Sequence, residues 1–143
     1  MVDYKTGKKA FDLTDVRYGL GIQMLLYLFT LQREGSSYFG RPVEPAGVLY
    51  MPARDIILQA DRALPPDKIE DMLRRELRRT GMLLGEPEVL TAMEHSALES
   101  PCYLPVGVTK DGAMQGLASS VLVSTAQMGK MARYIDSLLH RVA

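Results

Sequence analysis

The sequence predicts an α/β domain in which a mixed β-sheet is flanked by helices. Three stretches point there. Residues 1–6, Met-Val-Asp-Tyr-Lys-Thr, read as a short strand. From Val16 to Leu31 the apolar residues (Val16, Leu20, Ile22, Met24, Leu25, Leu26, Leu28, Phe29 and Leu31) lie nearly all round a helix, which marks it as central and buried on most sides. Ala46–Met51 reads as a second strand bounded by Pro45 and Pro52. Strand, helix and strand in that order predict a crossover that leaves the two strands parallel.

In chain order, Gly7, Lys8 and Lys9 form a polar turn after the first strand. Asp12-Leu13-Thr14-Asp15 supplies N-cap chemistry, because short side-chain oxygens satisfy the free N–H groups of a first turn. One helix is expected from there to about Glu34, ended by Gly35-Ser36-Ser37. Gly19 and Gly21 lower its propensity, and their expected use is the close approach of a neighbouring backbone such as the first strand. A mixed link over 53–64 leads to Pro65-Pro66-Asp67, which opens a second helix to about Thr80, stopped by Gly81. Its apolar stripe is Ile69, Met72, Leu73 and Leu77. Glu86-Pro87 opens a short helix to about His95. Tyr103–Thr109 reads as a strand, Lys110-Asp111-Gly112 as a hairpin turn, and a weaker return strand follows Ala113. Ser124-Thr125 caps a last helix to about Arg141, with Met128, Met131, Tyr134, Ile135, Leu138 and Leu139 inward.

Bulk properties narrow the function classes. The 143 residues suit one domain with a real core. Seventeen basic and seventeen acidic residues cancel, so any nucleic-acid contact must come from a local patch. The single cysteine, Cys102, rules out an internal disulfide and fits a reducing, cytoplasmic setting. The N-terminus is a charged strand and not a signal peptide. The most apolar stretch, Leu20–Leu31, is interrupted by Gln23 and too short to span a bilayer, so no membrane role is expected. Met1 stands directly on a strand with nothing before it to pair with, which predicts a piece of a longer protein.

Two residue pairs carry candidate chemistry. On an extended chain Asp3 and Lys5 point to the same side. Asp is a hard oxygen ligand suited to Mg²⁺, and a neighbouring ammonium can orient water and offset charge growing on a phosphate. The bland alternative is a solvated ion pair at a strand end. Gln23 and Tyr27 stand four apart, on one face of a helix. Their bland alternative is a glutamine bonded to backbone and a core tyrosine with its hydroxyl at the rim. The arginines of the second helix (Arg74, Arg75, Arg78 and Arg79) alternate with acids and read as a solvated face. His95 and His140 lack spaced ligand companions, and no phosphate loop of the G-x-x-x-x-G-K-[ST] type is present.

Together, Val-Asp-Tyr-Lys-Thr-Gly-Lys-Lys, Tyr-Gly-Leu-Gly-Ile-Gln-Met-Leu-Leu-Tyr and Ala-Gly-Val-Leu-Tyr-Met-Pro resemble the C-terminal nuclease domain of ATP-dependent helicase/nuclease B subunits (AddB-type). Those domains belong to the PD-(D/E)xK superfamily with RecB nucleases. The resemblance runs from residue 2 through the last helix. It implies a partial PD-(D/E)xK (restriction-endonuclease-like) core. It makes Asp3 a metal-binding acid, Lys5 the catalytic lysine, and Gln23 and Tyr27 the Q-x-x-x-Y element beside them. The implied reaction is Mg²⁺-dependent hydrolysis of DNA phosphodiesters during double-strand end processing, as an exonuclease, beside the helicase/nuclease A subunit.

Two departures qualify this. The family's first metal-binding Asp lies on the strand before Asp-Tyr-Lys, and the cysteines of its iron–sulfur cluster have no counterpart, since Cys102 does not match one. Mg²⁺ is then expected to be held weakly, with little or no nuclease activity in the isolated chain. Open sheet edges would favour self-association into a homo-oligomer. The alternative is a non-catalytic DNA-binding or scaffolding module of the same fold.

Overall fold

The computed structural model describes residues 11–51, 53, 56–59 and 63–142. The expected first strand at 1–6, and with it the parallel crossover, lies outside them. Asp12 caps the first helix as expected, its Oδ1 accepting from the Thr14 N–H at 2.7 Å. That helix does not run through to Glu34. α1 spans Leu13–Arg17 and α2 spans Gln23–Phe39. Between them Gly19 (φ 76°) and Gly21 (φ 64°) turn the chain through the left-handed region, which costs glycine nothing. Among the described residues no atom lies within 4 Å of where their Cβ would sit, and the first strand expected to approach them lies outside those residues. The stop also moves. α2 continues past Gly35-Ser36-Ser37 to a left-handed Gly40 (φ 67°), whose N–H donates to the Ser36 carbonyl. Gly35 is instead the contact point for the returning chain, since a Cβ there would lie 2.5 Å from Val43 Cγ2.

Four segments follow before the hairpin: β1 (Gly47–Tyr50), α3 (Pro66–Leu77), β2 (Thr80–Leu84) and α4 (Pro87–Met93). β2 corrects the sequence reading, which continued α3 to Thr80 and used Gly81 as its stop. The helix ends at Leu77, and Gly81 belongs to the strand, where Met82, Leu83 and Leu84 form a continuous buried run. β2 pairs antiparallel with β1, Gly47 opposite Leu83 and Tyr50 opposite Thr80. It pairs parallel with β5 (Leu122–Val123), Leu84 opposite Val123. The sheet β1-β2-β5 is therefore mixed, as expected. The expected hairpin is also present, as β3 (Val106–Val108) antiparallel to β4 (Met114–Gly116). Its turn closes through Thr109 N–H to Ala113 O at 2.9 Å, with Gly112 at φ 79°.

Alternate residues of the sheet enter two cores, as the two-residue strand period requires. Val48, Met82, Leu84 and Val123 pack with Leu25 of α2 and with Met128 and Ile135 of α5 (Thr125–Val142). Leu83 packs the other way, with Leu90, Leu104, Val106 and Val121 and with half-buried Leu49 and Leu122. Helices thus cover one face, and α4 with the hairpin covers the other. α5 opens on a capping box: Gln127 N–H donates to Ser124 Oγ, and Ser124 N–H donates to Gln127 Oε1 at 2.7 Å. Leu139, expected inward, is 44% exposed. α3 buries no residue fully, and Leu77 is 39% exposed, because charged side chains on its other faces hold the helix at the margin.

Connectivity sets which end of the sheet each segment reaches. Val43 packs near the far end of α2, so β1 runs back along that helix and finishes, at Tyr50, toward Gln23. Antiparallel β2 begins at the same end with Thr80. α5 starts from the opposite end and returns, and its Tyr134 hydroxyl donates to the Arg17 carbonyl of α1 at 2.5 Å.

Backbone proximity between β1 and β2 yields a direct test. A Cβ on Gly81 (φ 149°) would collide with the Val48 carbonyl oxygen, and one on Gly47 (φ 145°) with that of Met82. Gly81→Ala is expected to lower unfolding stability by roughly 3 kcal/mol in urea titrations. Gly129→Ala in α5, where the added methyl meets only Arg133 Nη1 at 3.6 Å, is expected to raise stability by about 0.5–1 kcal/mol.

Candidate functional site

Of the four expected site residues, Asp3 and Lys5 lie outside the described residues. Gln23 and Tyr27 are brought together. Gln23 opens α2 and Tyr27 follows one turn later, and Gln23 Nε2 donates to Tyr27 Oη at 2.7 Å. Both are half-buried. A phenol that accepts from an amide still has its own O–H to donate. Ile22 at the N-cap offers no side-chain bond to the first turn, where backbone N–H groups have no partner within the helix and the helix end favours negative charge. Such a pair can orient water or a phosphate oxygen. It is neutral and cannot by itself anchor a cation.

Among the described residues no group of three or more His, Cys, Asp or Glu side chains is placed to hold a metal ion. His140 makes only a 3.6 Å contact with Asp136 on α5, and Cys102 is a half-buried free thiol. The one expected Mg²⁺ ligand, Asp3, lies outside the described residues. None of the described helices is long and apolar enough to cross a membrane.

One polar construction escaped the sequence reading. Glu94, just past α4, accepts from three successive backbone N–H groups: Cys102 at 2.6 Å, Tyr103 at 3.2 Å and Leu104 at 2.9 Å. Ser96 Oγ adds a longer bond at 3.4 Å. Burial works against the charged form, but the N–H donors of Leu104, Cys102 and Tyr103 outweigh it and hold the carboxyl below its usual range. The same loop is tied to the start of β2 by Arg79 N–H to Tyr103 O at 3.0 Å and by Arg78 Nη2 to Pro101 O at 3.3 Å. Arg78 and Arg79 were expected on the α3 face. They lie beyond the helix, which leaves helical geometry at Arg78 (ψ 132°).

The profile of the PD-(D/E)XK nuclease superfamily matches residues 1–102. The B subunit of an ATP-dependent helicase/deoxyribonuclease from Acetivibrio thermocellus is 35% identical over 140 residues, 97% of this chain and 12% of the relative. Its Bacillus subtilis counterpart is 34% identical over 122 residues, 85% of this chain and 10% of the relative. That of Desulforudis audaxviator is 29% identical over 143 residues, 100% of this chain and 12% of the relative. The chain thus spans 10–12% of the length of these curated relatives.

Two substitutions read the polar geometry. Glu94→Gln is expected to cost about 2–3 kcal/mol at neutral pH, since the loop N–H groups lose a charged acceptor. The folded-state pKa is depressed, so the wild-type advantage is complete above the unfolded value and fades as pH falls through the folded one. The gap between the urea midpoints of the two proteins should therefore begin to narrow below about pH 4 and close at lower pH. Tyr27→Phe, which removes only the acceptor for Gln23, is expected to cost about 1 kcal/mol in the same assay.

Proposed function

The chain belongs to the PD-(D/E)XK nuclease superfamily, and from that premise we propose that it is the nuclease portion of a helicase/nuclease B subunit. It hydrolyses DNA phosphodiesters during double-strand end processing and repair, as a Mg²⁺-dependent exonuclease, in the cytoplasm, with the helicase/nuclease A subunit as its partner. One observation carries the reading: the superfamily match over residues 1–102 includes both Asp-x-Lys and Gln-x-x-x-Tyr. The 2.7 Å bond between Gln23 and Tyr27 supports treating the second motif as a functional unit.

Each residue then has a role. Asp3 is the carboxylate toward the cation. Bound there, Mg²⁺ supplies Lewis-acid polarisation of a phosphoryl oxygen. Lys5, two residues on in the sequence, orients the attacking water and offsets the charge growing on the phosphate. Gln23 and Tyr27 hold the substrate backbone or that water at the first turn of α2. A single acid in the motif pair holds Mg²⁺ weakly, so the isolated chain has little activity. Self-association through an open sheet edge is part of the same proposal. The alternative is a DNA-binding or scaffolding module of the same fold without catalysis.

Grafting separates the two. The chain, exchanged for its matching segment in the Bacillus subtilis relative, is expected to sustain Mg²⁺-dependent degradation of linear DNA. Lys5→Ala in that chimera is expected to lower the rate about 10²–10³-fold. A folded but inactive chimera, or full activity after Lys5→Ala, would favour the module. Strong digestion by the isolated chain, abolished by Lys5→Ala, would support the nuclease and refute its weakness alone.

A further inference from the structure

We infer that the α3–β2 junction and the loop before β3 form a platform for single-stranded DNA, at the same end of the sheet as Gln23 and Tyr27. DNA as the ligand follows from the nuclease reading above; the surface is one that reading does not use. Topology provides the placement. Thr80 opens β2 opposite Tyr50, the end of β1 that runs back toward Gln23. Arg78 and Arg79 immediately precede Thr80 and are delivered to that end.

Basic side chains gather toward the end of this segment, with Glu76 among them. Asp67, Glu70 and Asp71 lie toward the start of α3, and Arg74 and Arg75 lie in its last turn. A helix C-terminus favours cations, which accounts for Arg74 and Arg75. It does not account for Arg78 and Arg79 beyond it. The nearby acids are engaged: Glu70 holds Arg74 at 2.6 Å, Glu94 holds three backbone N–H groups, and Glu76 has an interaction of its own. Arg75 is exposed, with no ion-pair partner among the described residues. Arg78 keeps a buried Nε without a hydrogen-bond partner among them.

Tyr103 completes the surface. Its ring is 49% exposed, and the Arg79 guanidinium lies 5.7 Å from the ring centroid. Its backbone is fixed on both sides, the N–H donating to Glu94 and the carbonyl accepting from Arg79 N–H. An exposed aromatic residue on a rigid loop, flanked by guanidinium groups, combines base stacking with phosphate contact. In duplex DNA the bases already stack on one another, so an aromatic face gains most from a single strand. The chain as a whole is neutral, and only a local patch of this kind can draw in a polyanion.

Fluorescence anisotropy with a labelled single-stranded oligothymidine, in EDTA to prevent cleavage, tests the platform. The chain is expected to bind with a salt-sensitive affinity. The Arg75→Glu/Arg79→Ala double variant and Tyr103→Ala should each weaken binding about tenfold or more, while Tyr103→Phe should bind as wild type. Arg75→Glu alone alters an exposed side chain, should fold normally by circular dichroism, and should still weaken binding. Absence of binding by the wild type, unchanged affinity in the variants, or preference for duplex independent of Tyr103 would each overturn the inference. Digestion by the chimera reads the nuclease assignment separately, so either can fail alone.

Discussion

The contact on which the described structure turns is the close approach of β1 and β2 at two glycines. Gly47 and Gly81 sit in backbone conformations that side-chain-bearing residues rarely adopt, and neither has room for a Cβ. β2 is the middle strand, paired on both sides, so its register against β1 fixes the sheet's ends. It also fixes which side chains enter which core, because a one-residue slip would reverse every one of them. With Tyr50 opposite Thr80, the end of β1, the start of β2 and the start of α2 share one side of the molecule. Both the polar pair of α2 and the arginines before β2 inherit their positions from that register.

What the sequence made legible was mostly chemistry acting over a few residues. Asp12 caps α1 through its own side chain, Ser124 and Gln127 close a reciprocal box, and Gly112 turns the hairpin. Each needs only neighbours in the chain. β2 was hidden because Gly81 is as suitable after a helix as inside a close strand pair, and nothing local distinguishes the two. β5, two residues long, is defined by its partner and not by its own pattern. The long helix was over-extended because an apolar run continues across Gly19 and Gly21, while positive φ at those residues is a backbone property that hydrophobic patterning does not report.

The site divides along the same line. Gln23 and Tyr27 were readable as a pair because four residues on a helix place side chains within reach. Glu94 was not, because its partners are main-chain N–H groups eight to ten residues away that carry no residue identity. The arginines were misread for a related reason. The charge pattern of α3 continues through Arg79, but the helix ends at Leu77. Residues that would have been a solvated stripe become a surface packed against another loop.

The break before α2 matters more to the site than its length suggests. Had one helix run from Asp12 as the apolar pattern implies, Gln23 would sit mid-helix with its backbone N–H already bonded to the preceding turn. The left-handed glycines instead make Gln23 the first residue of a new helix. There the N–H groups of the first turn have no helical partners and the helix end favours negative charge. The bond to Tyr27 restrains the Gln23 side chain beside those groups. A neutral amide and phenol thereby acquire an environment suited to a phosphate oxygen, without a charged side chain at that turn. The same helix continued unbroken could not provide it, so the two glycines act on the site through backbone geometry alone.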